Sequence, residues 1–293
     1  MPGAPTFDLQ SHSVHSDGHL PAAEVVQRAA AAGVELLALS DHDTVDGVDE
    51  ALAAAAQCGI GVVPATELSS IDGTYDDLHV LGYGIDHTDP VLLTRLEEFR
   101  ADREGRAGRM ATALNELGFE IDDDLLAARR AAGKPIGRPH LAQAVIDHPA
   151  NAQRLREEGT DDVSPFIVAY LIAGKPGFRG RTMPTVEQAI GVIHDAGGVA
   201  IWAHPYWDVD KPEDVAGAIE RFAGFGVDGV EAFYVTHDEA QTQHVADLCA
   251  QRGLLTTGSS DFHGPDHKLF SRFRAFQLFD REPNLGPIGE PIP

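Results

Sequence analysis

Apolar residues recur along this chain in short runs separated by Ala-rich stretches with helical spacing. The runs are Phe7–Leu9, Leu36–Leu39, Ile60–Pro64, Leu78–Leu81, Val199–Trp202, Gly229–Phe233, Leu254–Thr257 and Phe273–Leu278. Between the first two, Pro21 opens a helix that stops at Ala32-Gly33, the usual placement of proline at a helix start and glycine at its end. Asp46 to Gln57, Val186 to Ala196 and Glu239 to Gln251 read as further helices. Strand and helix alternating this often predicts an α/β fold on a parallel sheet, and eight short runs suit a closed barrel better than an open sheet. Residues 91–182 break the pattern. They read as mostly helical (Val91–Leu117, Asp123–Ala131, His140–Ile146, Pro165–Ile172) with Gly/Pro breaks, an insertion into a barrel made of 1–90 and 183–281. Residues 282–293 are Pro/Gly-rich and read as a flexible tail.

Charge sharpens that division. The 293 residues carry 22 Lys+Arg against 46 Asp+Glu, a net −24. Residues 91–182 hold 14 of each sign, so the remainder holds 8 bases against 32 acids and all of the surplus. Such acidity argues against gripping duplex nucleic acid or an anionic membrane, both of which require surplus bases. Cys58 and Cys249 stand far apart in helical stretches, and neither a leader nor a membrane span is evident, which points to a reduced cytoplasm. No obligate protein partner is indicated.

The chemistry lies at the ends of the runs. His12 and Asp17 follow the first, Asp41-His42-Asp43 the second and Glu67 the third. His79 lies within the fourth, His204 ends the fifth and Asp261-Phe262-His263 follows the seventh. Any one of these alone reads blandly: Asp43 or Thr44 as a helix cap, His204-Pro205 as the start of a loop. Together, at strand ends that converge on one mouth of a barrel, they read as a metal site. Imidazoles mixed with carboxylates suit Mn²⁺, Zn²⁺ or Fe²⁺ rather than all-oxygen ions, and bound cations remove the cost of clustering carboxylates. In the insertion, Arg138 and His140 stand at a helix start and Lys175, Arg179 and Arg181 in a Gly/Pro-punctuated stretch, suited to holding a phosphate. The bases from Arg95 to Arg109 alternate with Glu97, Glu98, Asp102 and Glu104 at helical spacing and read as a solvated face.

The motifs Asp8-Leu9-Gln10-Ser11-His12-Ser13-Val14-His15-Ser16-Asp17-Gly18, Ser40-Asp41-His42-Asp43-Thr44, Glu67, His79, Ala203-His204-Pro205 and Gly258 to Gly264 resemble the PHP (polymerase and histidinol phosphatase) family. The resemblance covers 7–90 and 183–280. It implies a distorted (β/α)₇ barrel and a centre of two or three divalent cations, Mn²⁺ before Zn²⁺ or Fe²⁺, that hydrolyses phosphoesters. By the same resemblance His12, Glu67 and Asp261 hold one metal, Glu67, His79 and His204 a second, and Asp17, His42 and His263 a third. Asp17, His42, Glu67, His204 and His263 would be catalytic. One departure is that Gln10 stands where the family usually has the first histidine of His-x-His, and a neutral amide oxygen is a weaker donor. His15 reads as supporting or solvent-facing, Asp41 and Asp43 as groups that orient imidazoles. Gly-Arg138-Pro-His140 with Gly-Lys175-Pro resembles the subgroup of nucleoside 3′,5′-bisphosphate phosphatases and 5′-to-3′ exoribonucleases. There Arg138, His140, Lys175, Arg181 and His237 would contact phosphate, on a small nucleotide or a short RNA. An amidohydrolase acting on C–N bonds and a non-catalytic metal-binding domain are the alternatives.

Overall fold

The computed structural model of the chain describes residues 5–73, 75–131 and 136–289. In chain order the elements are β1 (Phe7–Asp8), α1 (Ala22–Ala31), β2 (Leu36–Leu39), α2 (Val48–Cys58), β3 (Gly61–Asp72) and β4 (Tyr75–Tyr83). Five helices follow: α3 (Pro90–Glu116), α4 (Asp123–Ala131), α5 (Arg138–Ile146), α6 (Ala152–Glu158) and α7 (Val163–Phe166), the last running into a π turn over Ile167–Leu171. Then come α8 (Val186–Asp195), β5 (Val199–Trp202), α9 (Pro205–Asp208), α10 (Pro212–Phe225), β6 (Gly229–Tyr234), α11 (Glu239–Arg252) and β7 (Leu255–Ser259). The chain forms two compact units, one of Met1–Glu97 with Pro184–Pro293, the other of Glu98–Met183, so the boundary falls inside α3.

The first unit is a seven-stranded sheet in the order β1 to β7. Hydrogen bonds from Leu9 N to Gly258 O (3.2 Å) and His12 N to Phe262 O (2.8 Å) join its two ends, so the sheet curls into a distorted barrel. It is not wholly parallel as the strand–helix alternation predicts, because β4 runs antiparallel to both β3 and β5. Only two residues separate β3 from β4, one of them Gly73 at φ 59°, and so short a link reverses the chain. The apolar run at Phe273–Leu278 is not a strand. Its Phe276 is buried against Phe7 with ring centroids 5.5 Å apart. Residues 282–289 are held against β7, with Thr256 N donating to Asn284 O at 2.8 Å and Ile288 buried; residues 290–293 lie outside the described ones.

Local sequence places the helices. Thr185 with Gln188 and Asp238 with Gln241 form reciprocal capping boxes that start α8 and α11. Gly59 and Gly226, both at positive φ, end α2 and α10. The apolar faces of α1 and α2 pack with Leu37, Leu39 and Val62 from the sheet, while Trp202 and Phe222 meet edge to face at 5.0 Å. Burying side chains of this size stabilises by roughly 1.5–3 kcal/mol each.

The second unit has its own core of Met110, Leu114, Phe119, Leu126, Leu141, Val145, Leu155, Phe166 and Leu171. The Arg154 guanidinium lies 3.8 Å from the Phe119 ring centroid and donates to Leu117 O. The solvated-face reading of Arg95 to Arg109 fails at Arg106, which is buried and donates through Nε to Arg179 O at 2.8 Å.

Candidate metal centre

Glu67 organises the site. It lies on β3, where Thr66, Glu67, Ser69 and Ser70 are all buried despite being polar. Its Oε1 is 2.7 Å from His79 Nδ1 on β4 and 3.2 Å from His204 Nε2, which follows β5. Its Oε2 is 3.1 Å from His12 Nε2, 3.8 Å from His42 Nδ1, and accepts the Gln10 amide N–H at 2.7 Å. One carboxylate thus collects side chains that follow or lie on four different strands.

Three overlapping sets of potential ligand atoms result, each within 4.8 Å: His12, Glu67 and Asp261; His42, Glu67 and His79; and His12, Asp17, His42 and His263. His204 Nε2 is also 3.3 Å from His79 Nδ1. Asp261 Oδ1 is 3.1 Å from His12 Nε2, and Asp17 reaches His263 Nε2 at 3.5 Å and His42 Nε2 at 3.7 Å. The fold therefore brings all eight predicted ligands together, with His12 and His42 each shared between two sets.

The donor chemistry fits divalent cations. His204 Nδ1 is buried without a hydrogen-bond partner, and His12 Nε2, His42 Nδ1 and Asp261 Oδ1 are buried with charged or polar neighbours close by but no well-directed hydrogen bond, a costly state for polar atoms unless an ion engages some of them. Burial opposes protonation of His12, but its contacts to Asp261 and Glu67 overcome this and raise its pKa well above the usual range. His204 is raised to about 9, again against burial, by Glu67. His42 goes the other way, lowered to about 4 because burial outweighs the attraction of Glu67 and Asp17. Burial disfavours an ionised Asp261, yet the His263 and His12 imidazoles hold it at about 2.

The backbone here is strained. Asp43, His204 and Asp261 have φ of 52°, 28° and 52°, conformations that cost non-glycine residues roughly 1–3 kcal/mol each and persist where the surroundings enforce them. The enforcing bonds are visible. Asp41 accepts from Ser13 N (2.7 Å), Ser13 Oγ (2.6 Å) and Ser16 Oγ (2.6 Å), fixing the loop that carries His12 and Asp17. It serves that loop rather than an imidazole. Asp43 Oδ1 accepts from Ser69 N, and α2 begins only at Val48 with Gly47 at its N-cap, so neither Asp43 nor Thr44 caps it. Gly18 is required for close approach: a Cβ there would lie 2.2 Å from His12 O.

A family profile described as PHP domain matches residues 8–124. Over 266 residues the chain is 35% identical to the 3′,5′-nucleoside bisphosphate phosphatase of Chromobacterium violaceum, covering 88% of this chain and 87% of that one. This chain belongs to the PHP family. It is 33% identical to a 5′-3′ exoribonuclease of Haemophilus influenzae, covering 88% of this chain and 90% of that one. Among solved structures it resembles an amidohydrolase from Chromobacterium violaceum with TM-score 0.77, 32% identity and coverage of 98% and 94%. A metal-dependent phosphoesterase from Bifidobacterium adolescentis gives 0.74, 27%, 92% and 91%.

In this PHP chain, Gln10 does what its amide allows: Nε2 donates to Glu67 while Oε1 accepts from Ser259 Oγ at 3.2 Å. His15 is half-buried, 3.9 Å from Glu50. In the other unit, Arg138 opens α5 and His140 Nδ1 accepts from Gly137 N, so His140 caps its own helix; Lys175 is exposed and Arg181 buried. His237 is buried after β6, its Nδ1 donating to Ala232 O at 3.1 Å.

Sequence reasoning missed three supporting carboxyl and phenol groups. Tyr234 donates to Asp261 Oδ2 at 2.7 Å. Glu231 accepts from His204 N at 3.0 Å, and burial pushes its pKa up to about 8. Asp8 accepts from Ser260 N and Oγ beside Asp261, its pKa raised by burial to about 7. Glu231 and Tyr234 sit within or directly after an apolar run, three residues apart, where strict alternation would put them on opposite faces; a register shift between Glu231 and Phe233 interrupts that alternation. The useful signal was Glu231, a carboxylate in an otherwise apolar strand.

Proposed function

We propose that this protein is a metal-dependent phosphoesterase that hydrolyses phosphate esters of small nucleotides, nucleoside 3′,5′-bisphosphates or the 5′ end of short oligoribonucleotides. The observation that carries the reading is the clustering of five imidazoles and three carboxylates, four of the imidazoles against Glu67 itself, in a chain whose relatives at 33–35% identity act on such substrates by name. His12, Glu67 and Asp261 would hold one cation, Glu67, His79 and His204 a second, and Asp17, His42 and His263 a third, with Mn²⁺ the first choice. Divalent cations held there would polarise the scissile phosphate and acidify a water.

The chain's own groups do the rest. Glu67, ionised and shared by imidazoles on both of its oxygens, keeps those rings in one arrangement. Its pKa stays well below the usual range because His42 and His79 outweigh burial. Gln10 donates to Glu67 and adds no charge, leaving that region a weaker cation site than one with an imidazole. Asp17, the most exposed of the carboxylates, with 42% of its side chain open, is suited to meet water or substrate with His42 and His263. Arg138, His140, Lys175, Arg181 and His237 are proposed phosphate contacts. No helix among the described residues is long and apolar enough to cross a membrane. A reducing cytoplasm is the proposed compartment, in keeping with Cys58 and Cys249, both free thiols.

With Mn²⁺ added, the purified protein should release phosphate or mononucleotides from nucleotide esters, lose that activity on chelation, and bind at least two metal equivalents. Arg138→Ala should damage turnover of a nucleoside bisphosphate far more than of an aryl phosphate. Because one solved relative is named an amidohydrolase, amides form the comparison arm. Turnover of amides but not phosphoesters would overturn the reading.

A further inference from the structure

One large aromatic side chain stands unexplained at the metal centre. Trp207 lies on α9, three residues beyond His204, and its N–H donates to His204 O at 2.8 Å, so its backbone is tied to that of a proposed ligand. It lines the cleft formed with the ligand side chains, Tyr234 and Phe270. Trp207 is 47% exposed, and among the described residues no other tryptophan, tyrosine or phenylalanine is exposed to a comparable degree. Its ring neighbours, Phe270 at 5.6 Å and Tyr234 at 6.4 Å, are inclined at 58° and 77°, so neither stacks parallel on it. An indole left in water forgoes the burial that normally places tryptophan inside.

Size then decides what occupies it. The cleft has a volume of about 130 Å³, against roughly 300–1,000 Å³ for pockets that enclose a drug-sized ligand. It admits a phosphoryl group but not a whole nucleoside, whose base must lie at the opening. We infer that Trp207 is the platform on which the substrate's nucleobase stacks, a contact that selects nucleotides over base-free phosphate esters without choosing among bases. The inference rests on the phosphoesterase reading above and adds its specificity determinant. Stacking is tolerant of sequence because every base offers a π-face.

The chain has two tryptophans, and the other, Trp202, is buried, so quenching by a bound base reports on Trp207. Adenosine monophosphate should quench the emission of the wild-type protein and glycerol phosphate should not. Trp207→Ala should lower kcat/KM for adenosine 3′,5′-bisphosphate by about ten- to a hundredfold, chiefly through KM. It should change glycerol phosphate turnover less than threefold, and Trp207→Phe should restore most of the loss. Absence of quenching, equal losses on both esters, or failure of phenylalanine to rescue would overturn the role of Trp207. A wild-type protein that hydrolyses neither ester would instead defeat the phosphoesterase reading, and the quenching titration would still judge Trp207 independently.

Discussion

Replacing Tyr234 with phenylalanine removes one hydroxyl from the candidate metal centre and leaves the ring, and hence the packing, in place. That hydroxyl donates to Asp261 Oδ2 at 2.7 Å, and both residues are buried. Asp261 Oδ1 is the atom that faces His12 Nε2 at 3.1 Å. The tyrosine therefore occupies one carboxylate oxygen and aims the other at the ligand set. A hydrogen bond to a buried charge is worth roughly 1.5–3 kcal/mol, about one to two decades in an equilibrium constant, in line with the roughly 10–100-fold effect of groups that support metal ligands. Calorimetric Mn²⁺ titration with a competing chelator should show one class of site weakened by about ten- to a hundredfold in Tyr234→Phe. Activity should return to within a few-fold of wild type once Mn²⁺ is saturating, because the ligands are all still present. An unchanged titration curve would refute the idea that Tyr234 orients Asp261. A kcat that stays low at saturating metal would refute the separation of metal binding from chemistry.

Two further expectations follow from burial and close approach. His237 has its pKa lowered by burial to about 4, only partly offset by its bond to Ala232 O. Its neutral form is thus the native one, and stability is full above the unfolded value of about 6.5 and is lost as pH falls from there towards 4. At pH 5 the loss approaches about 2 kcal/mol. Denaturant unfolding of His237→Gln at pH 7.5 and pH 5 should show a difference smaller than wild type by about that amount, and an identical difference would assign the acid sensitivity elsewhere. Gly18→Ala should place a methyl 2.2 Å from the His12 carbonyl. Relieving that clash should shift the loop carrying His12 and Asp17, cost about 1–3 kcal/mol, lower the melting temperature by several degrees, and weaken Mn²⁺ binding; wild-type melting and binding would show the loop to be pliant.

The limits of reading the fold from sequence can be seen at β3. The apolar run ends at Pro64, but the strand continues to Asp72, because Thr66, Glu67, Ser69 and Ser70 are buried for their chemistry rather than for hydrophobicity. Conversely, Phe273–Leu278 looks like a strand and is instead a loop, with Phe276 inserted into the core. Runs β2 and β5 matched their strands because each is a fully apolar segment between helices, where pattern and burial coincide. Arg106 was misread because helical spacing shows that it can pair along α3 but not that Arg179 O lies beside it.

Local order along the chain was enough to state which residue types stand at the strand ends and that imidazoles and carboxylates there would cluster as potential metal ligands. It was enough because strand-end position and ligand type are properties of short segments. The tertiary structure alone decided that Glu67 divides its two oxygens between rings, that His12 and His42 each serve two sets, and that β4 runs backwards. It alone showed that Tyr234, Glu231 and Asp8 stand behind the proposed ligands and that Trp207 stands exposed beside them. Those are relations between atoms brought together by sheet register and barrel closure, from positions as far apart in sequence as Asp8 and Ser260. No segment read by itself contains them.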